Sequence, residues 1–451
     1  MKKYDKYKQA EEAIWYDSIP ISWTSTKMRE VFSERREKVS DKDYPPLSVG
    51  KMGVVPQLDT AVKTDNGDNR KLIKKGDFAI NSRSDRKGSG GMSNYDGSAS
   101  LIITVLKPHH ELNVNFYHYL LRNHYFSEEF YRNGKGLVSD LWTTKWEEMR
   151  NIYIPIPPRD EQDQIVCYLD WQISKINHLI HGYQKQIKLL DERKTTVINE
   201  AVTHGVHADV EMQPVEANWV KEIPAHWEFN KVKQHFEIKK RIAGKEGYDV
   251  ISITQQGLKV KDIASNEGQM AANYSKYQFV YPGDYAMNHM DLLTGFIGLS
   301  AFFGVTSPDY RVFSAIDVER TDLKYFLYVF QLGYKRKIFY GLGRGAANKG
   351  RWRMPAINFK NYDIPVPPIE EQREIVEYIE QETEKIDVLK KEVEKQIEHL
   401  REYRTRLISD VVTGQIDVRD VVIPEYTPEE DAEIDTDDIG EDVEEVAEDA
   451  E

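Results

Sequence analysis

The sequence contains itself twice. Residues 154–206, opening Ile154-Pro155-Ile156-Pro157-Pro158, align without a gap to residues 364–416, opening Ile364-Pro365-Val366-Pro367-Pro368. The offset is 210, and 21 of the 53 aligned pairs are identical, among them Glu161-Gln162 with Glu371-Gln372 and Lys185-Gln186-Ile187 with Lys395-Gln396-Ile397. The echo continues outside that block. Trp15-x3-Ile19-Pro20-x2-Trp23-x8-Phe32 recurs as Trp219-x3-Ile223-Pro224-x2-Trp227-x8-Phe236, Gly76-Asp77 and Asn81 recur as Gly283-Asp284 and Asn288, and Gly134-x-Gly136 recurs as Gly343-x-Gly345. A period of about 210 residues is far above the 20–50 of solenoid repeats, so each half is a domain with an appendage. The chain must therefore fold as a pseudo-symmetric molecule, suited to a two-part target or to two copies of one partner.

The appendage is a long helix. In the first copy it spans 158–203: Pro157-Pro158 suits a helix start, Asp160 and Glu161 favour the positive end of the dipole, and Gly205 is a stop. Ile173, Ile176, Ile180, Tyr183, Ile187, Leu190, Val197 and Ala201 fall at alternating steps of three and four, with Lys194 in one slot. That is the seam of a coiled coil. In the second copy Leu389, Val393, Ile397, Leu400, Leu407 and Val411 continue the stripe to Gly414. Each helix would be roughly 70 Å long at 1.5 Å per residue, too long for one small domain to stabilise. The economical solution is antiparallel packing of one on the other.

The parts preceding each helix mix apolar, β-prone runs (Ser100–Leu106 and Tyr248–Ile253) with Asn-Gly, Asp-Gly and Gly-Gly turns, and with short helices expected at 115–131 and 322–340. The expected fold class is α/β: two similar α/β domains separated by two long helices that pair as an antiparallel coiled coil, with pseudo-twofold symmetry. The segments are 1–156, first domain; 157–206, first helix; 207–366, linker and second domain; 367–416, second helix; 417–451, acidic disordered tail.

The tail also explains the charge. Residues 425–451 hold 15 acidic residues and no basic one, so the net charge of −14 becomes +1 for residues 1–424 (−14 plus 15). A balanced body can still cluster its cations. Dense like charge with little apolar content is the signature of a solvating tail. The single cysteine, Cys167, excludes disulfides and Cys-type zinc sites. No apolar run reaches the length of a membrane span and no signal core follows Met1, so a cytoplasmic protein is expected, with no membrane partner.

Catalytic signatures are missing. There is no Gly-x4-Gly-Lys-Ser/Thr loop, no Asn/Asp-Pro-Pro-Tyr/Phe element and no His-Glu-x-x-His; Pro308-Asp309 lacks a downstream Asp/Glu-x-Lys, because Asp317-x-Glu319 is followed by Arg320. No catalytic residue, metal ligand or cofactor is assigned to this chain. Binding residues are easier to find. The loop 81–91 carries Asn81, Arg83, Arg86, Lys87 and Ser89 among glycines; Lys135, Thr144 and Lys145 form another polar group; Asn288, Arg344, Lys349, Arg351 and Arg353 are their counterparts in the second half. Lys and Arg hold phosphates, Arg, Asn and Ser read base edges, and glycine lets backbone come close. These are the candidate DNA contacts.

The combination resembles the specificity subunit of type I restriction-modification systems. The resemblance rests on Ile154-Pro155-Ile156-Pro157-Pro158-x2-Glu161-Gln162-x2-Ile165-Val166 and its copy at 364–376. Each continues into a long helix ending at Thr203-His204-Gly205 or Thr413-Gly414-Gln415-Ile416. Tyr7-Lys8 and Ile19-Pro20-x2-Trp23, with its echo at Ile223, complete it. It covers nearly the whole chain short of the acidic tail. The first half departs mildly, with Ser18 and Ile21-Ser22 where the second has Glu222 and Ala225-His226.

The resemblance implies two target-recognition domains, each reading one half of an asymmetric split site in double-stranded DNA. The helices would be a ruler, with domain centres about one helical turn of DNA, 34 Å, apart. It implies docking of two modification subunits along the helices, which would carry S-adenosylmethionine, and of restriction subunits bringing ATP and magnesium. Helix residues singled out for spacing and docking are Glu161, Gln162, Ile176, Ile180, Ile187, Leu190, Glu371, Gln372, Leu389, Val393, Ile397 and Leu400. For Glu161-Gln162 and Glu371-Gln372, simple capping of a helix N-terminus remains the other reading. Two other classes stay open: a self-contained DNA-modifying or DNA-cleaving enzyme fragment, and a coiled-coil protein scaffold.

Overall fold

The structure is a computed structural model, and it describes residues 2–57, 67–83, 88–110, 112–136, 142–255, 257–261, 273–345 and 352–429. The helices that frame the molecule are α1 (Val114–Leu120), α2 (His124–Arg132), α3 (Arg159–His204), α4 (Leu323–Lys335) and α5 (Ile369–Val412). The strands that matter are β1 (Phe32–Glu34), β2 (Phe78–Asn81), β3 (Gly90–Met92), β4 (Ile103–Pro108), β5 (Phe236–Lys239), β6 (Tyr285–Met287), β7 (Ile297–Leu299) and β8 (Arg311–Ala315). Contacts divide the chain into two compact units, Met1–Lys185 with Glu394–Glu451, and Gln186–Val393. The sequential segments expected from the sequence are thus regrouped. Each unit takes one α/β domain and half of each long helix.

In the first unit the main sheet is antiparallel with order β3-β2-β4-β1. The second unit repeats it as β7-β6-β8-β5. The two orders coincide strand for strand, although the sequences of these stretches share little. Phe32, Phe78, Phe116, Phe126 and Phe130 are buried in the first core, and Phe236, Tyr285, Phe313, Phe326 and Phe330 in the second. The equivalent Phe32 and Phe236 each set their ring edge-on against an aromatic neighbour, Tyr117 at 5.5 Å and Tyr285 at 5.6 Å, the arrangement that ring quadrupoles favour.

Both long helices start after the Pro-Pro pairs and end at glycines, Gly205 and Gly414, with the same left-handed φ of 75°. That conformation closes a helix at no steric cost only for glycine. Each stop packs on the equivalent tryptophan: a Cβ on Gly205 would lie 3.2 Å from Trp227, and one on Gly414 3.2 Å from Trp23. The antiparallel pairing is visible within each unit. In the second, Lys194 bonds both Asp387 oxygens at 2.7 Å, while Lys390 bonds Asp191 at 3.0 Å. The cation in the seam is therefore answered by a carboxylate across it. In the first unit Arg404 donates to Asn177 at 2.9 Å. Ile176, Ile180, Val393 and Ile397 are buried as the seam requires, and Ile187, Leu190 and Leu400 are half-buried.

Three expectations are corrected. Leu389 is 55% exposed, because the α5 seam steps from Ile386 to Val393 with Lys390 between them, and Leu389 lies one residue, about 100°, off that line. The helices expected at 115–131 and 322–340 are each broken, the first between α1 and α2, where Asn123 caps a fresh start by accepting from Phe126 N. The tail does not begin at 417. Residues 417–429 are placed along α3, with Val418 fully buried and Asp417 N bonded to Lys2 O at 2.9 Å; the remainder of the acidic tail lies outside the described residues. The 207–218 linker carries a strand, Met212–Pro214, paired with Glu222–Pro224.

Candidate nucleic-acid interface

The loops read separately in the sequence converge at one end of each sheet. In the first unit β2 runs out at Asn81, which is fully buried. Its backbone N–H donates to Ser89 O at 2.9 Å and its side-chain Oδ1 accepts from Arg83 N at 3.1 Å, the turn that Asn makes with its own backbone. Thr144 N reaches Ser82 O at 2.9 Å, and Thr143 pairs with Lys135 through two backbone bonds of 2.9 and 3.0 Å and bridges to Arg83. Asn81, Arg83, Ser89, Lys135, Thr144 and Lys145 are therefore neighbours.

Their roles differ. The Lys135 side chain is 79% exposed beside Glu148 at 3.4 Å, and Lys145 is exposed. Thr144 is fully buried, its hydroxyl donating to Phe130 O at 2.9 Å, and Ser89 is buried too, so both shape the loop and do not face a ligand. Gly90 and Gly91 form β3, where a Cβ on Gly91 would sit 2.9 Å from Gly53 Cα. These glycines let the neighbouring strands pack closely. Arg86 and Lys87, like Lys349 and Arg351 of the second half, lie outside the described residues.

The second unit builds the same junction with other side chains. Asn288 follows β6 and its Oδ1 accepts from Met290 N at 3.2 Å. Met354 N reaches His289 O at 3.0 Å, as Thr144 N reaches Ser82 O. Arg344 pairs with Arg353 through bonds of 2.8 and 3.2 Å, where the first unit pairs Lys135 with Thr143, and both arginines are exposed. In both units a tryptophan holds this pair in place: Trp142 Nε1 donates to Tyr131 O at 2.8 Å, and Trp352 Nε1 to Tyr340 O at 2.7 Å. The repeated glycines Gly134 and Gly343 are explained by it, since a Cβ on either would lie 2.3 Å from that indole nitrogen.

Sequence reasoning missed two residues here. Arg311 is buried, donates to Met354 O at 2.8 Å and lies 5.0 Å from the Phe359 ring centre; burial lowers its pKa to about 10. His289 is held at about 4, first by burial and then by Arg311 and Arg353, so it is neutral at pH 7. A cation inside the apolar run Arg311-Val312-Phe313 was the legible signal for the first. Asn81 Nδ2 and His289 Nδ1 are both buried without a protein hydrogen-bond partner, at corresponding ends of the two sheets.

The helix-start pairs turn inward. Gln162 Nε2 donates to Pro157 O and Gln372 Nε2 to Pro367 O, both at 2.9 Å. Glu161 accepts from the Tyr4 hydroxyl, and Glu371 lies 2.8 Å from His226 Nε2. All four are buried. They lock each helix start to its own domain and offer no docking surface, which corrects their reading as partner contacts. Among the described residues no cluster of three or more His, Cys, Asp or Glu is arranged to hold a metal ion, and no helix is long and apolar enough to cross a membrane.

Two globular repeats, each carrying a basic loop junction and half of a helix pair, define a two-domain binding protein. Residues 20–189 and 224–399 match the type I restriction modification DNA specificity domain, and the chain belongs to that family. It is the non-catalytic specificity subunit of a type I restriction-modification system, and its partners are DNA and that complex. It is 22% identical to the putative type I restriction enzyme MjaX specificity subunit of Methanocaldococcus jannaschii, over 92% of this chain and 98% of that protein. It is 26% identical to the MjaVIII specificity subunit of the same organism, over 60% of this chain and 64% of that one. Its fold matches a chain from a solved type I R-M system complex with a TM-score of 0.59 at 15% identity, over 89% of this chain and 100% of that one.

Proposed function

We propose that each domain reads one half of an asymmetric, split site in duplex DNA through its loop junction. The observation that supports this is the repeated junction itself: one backbone scaffold carries Lys135 and Thr143 in one unit and Arg344 and Arg353 in the other. Equal scaffolds with unequal side chains suit two different half-sites. Exposed Lys135, Lys145, Arg344 and Arg353 supply phosphate or base contacts, and Arg83 and Asn288 stand beside them. The paired helices fix the spacer and dock two modification subunits, which bring S-adenosylmethionine; restriction subunits add ATP- and magnesium-dependent chemistry.

The test is co-expression with the neighbouring modification subunit, followed by mapping of methylated bases on genomic DNA. The expected result is one bipartite motif that changes in one half only when residues 18–156 are replaced by those of another specificity subunit. Methylation indifferent to that exchange would favour a scaffold. A scaffold would also bind DNA weakly and without the steep salt dependence that phosphate contacts impose.

A further inference from the structure

The two helix surfaces are not equally available. In the first unit the chain leaving α5 does not turn away. It runs along the outer side of α3: Gln164 Nε2 donates to Val418 O at 2.9 Å and to Val421 O at 2.8 Å. Ser174 Oγ donates to Thr427 O at 3.2 Å and accepts from Glu429 N at 2.8 Å. Asn177 Nδ2 donates to Glu429 O at 3.3 Å, and His181 Nδ1 lies 2.5 Å from the Glu429 carboxylate. Ser174 is 6% exposed beneath this chain, and Asn177, which also accepts from Arg404 across the helix pair, is 3% exposed.

The second unit begins in the same way and then diverges. Glu374, the counterpart of Gln164 at the 210-residue offset, meets the outgoing chain through His207 at 2.9 Å. That chain then turns into the strand Met212–Pro214. In the first unit the corresponding strand, Tyr7–Gln9, comes from the other end of the sequence, and the outgoing chain continues along the helix. On α5 the counterparts of Ser174 and His181, Glu384 and Lys391, are exposed. Tyr378 is 41% exposed where its counterpart Tyr168 is 7% exposed, and Val388 is 55% exposed.

We propose that residues 423–429 are an intramolecular strap that covers the α3 docking face, so that the two modification subunits bind unequally. The first docks on the open α5 face, and the second must displace the strap. This rests on the proposed reading that modification subunits dock along the helices. The strap is held by side chain-to-backbone bonds and a half-buried His–Glu contact, so it is a contact that can be displaced. A site that is competent only when the strap is off has its apparent affinity reduced by the fraction of time it is open.

The experiment titrates the modification subunit against three chains: full-length, 1–429 (strap kept, remaining acidic tail removed) and 1–422 (strap removed). Asp417, Val418 and the Lys2 closure are kept in all three. Stoichiometry and both dissociation constants are read by calorimetry and native mass spectrometry, with circular dichroism confirming that each chain is folded. The expected result is two sites differing by about ten-fold or more in the full-length and 1–429 chains, converging in the 1–422 chain. Two unequal constants unchanged in the 1–422 chain, or a second site that weakens on removal of the strap, would overturn the proposal. Equal sites in the full-length chain would overturn it as well. No binding to any of the three chains would instead overturn the docking reading on which it rests.

Discussion

Asp77 and Asp284 occupy the same place in the two repeats, and replacing each by alanine tests how far the copies have diverged energetically. Asp77 accepts from Nε and Nη2 of Arg35, at 2.7 and 3.0 Å, and from the Lys74 backbone N–H at 2.8 Å. The side chains are 7% exposed for Arg35 and 3% for Asp77. Asp77→Ala leaves a guanidinium buried, with only the exposed Glu37 at 3.3 Å to help it. Breaking such a pair costs about 3–5 kcal/mol, and the low end applies here because Glu37 remains. Asp284 receives one Arg241 bond at 2.6 Å and the Tyr281 amide at 2.8 Å. Arg241 is 30% exposed and rests over the Tyr281 ring, 5.0 Å from its centroid, so it can turn to water when Asp284 is lost. Asp284→Ala then costs about 1–2 kcal/mol, the value of a lost turn bond. A chain of two units need not unfold in one step, so the assay is native-state hydrogen exchange, read separately on peptides covering β2–β3 and β6–β7. Asp77→Ala is expected to raise the local opening constant of the first sheet by about a hundredfold or more, and Asp284→Ala that of the second by about ten-fold. Equal effects, or the reverse order, would refute the argument that exposure of the arginine decides the cost.

Gly343→Ala forces a methyl group to within 2.3 Å of Trp352 Nε1. It should cost about 1–3 kcal/mol and impair recognition of one half-site only, read as a motif that loosens on one side in methylation mapping. Lys135→Ala, at an exposed cation, is expected to weaken DNA binding alike across sequences and to reduce the slope of log affinity against log salt by about one, whereas Arg353→Ala, at the position proposed to read a base, should relax one sequence position. His118 is half-buried beside Arg122, and desolvation first and the Arg122 charge second push its pKa down to about 3. The unfolded chain therefore takes up a proton near the ordinary imidazole value that the folded chain refuses. Stability is full above that value and falls as pH drops toward 3, a loss that His118→Gln should flatten in pH-dependent melting. Asp417, one of whose oxygens accepts from Arg419 Nε at 2.9 Å, has a lowered pKa. Its contribution is present above the ordinary carboxylate range and is lost as pH falls through the depressed value. Proteolysis near Lys2 and Val418 should accelerate at that point.

Much of the frame could be read directly. Pro-Pro starts, glycine stops and apolar steps of three and four announce both long helices, found at Arg159–His204 and Ile369–Val412, because capping and periodicity are local properties. The candidate loops were recognisable by charge, and six of their residues in the first half prove to be neighbours. Their burial was not legible. Thr144 and Ser89 look like loop polar groups in sequence, yet one is spent on Phe130 O and both are enclosed. Leu389 was misassigned because an apolar residue one step off the seam reads like part of it. Glu161 and Glu371 looked outward, because nothing in their own neighbourhood announces Tyr4 or His226.

The sequence by itself determined that the molecule is double, that each half ends in a long helix, and that the loops before each helix carry the variable charge. These follow from repetition, helical period and composition, which need only neighbours along the chain. Tertiary structure alone decided the common sheet order beneath dissimilar sequences, the regrouping of each domain with half of both helices, and the covering of α3 by residues 417–429. Those outcomes depend on contacts between residues as far apart as Ser174 and Glu429, whose pairing is chosen by which surfaces fit and which polar atoms remain to be satisfied.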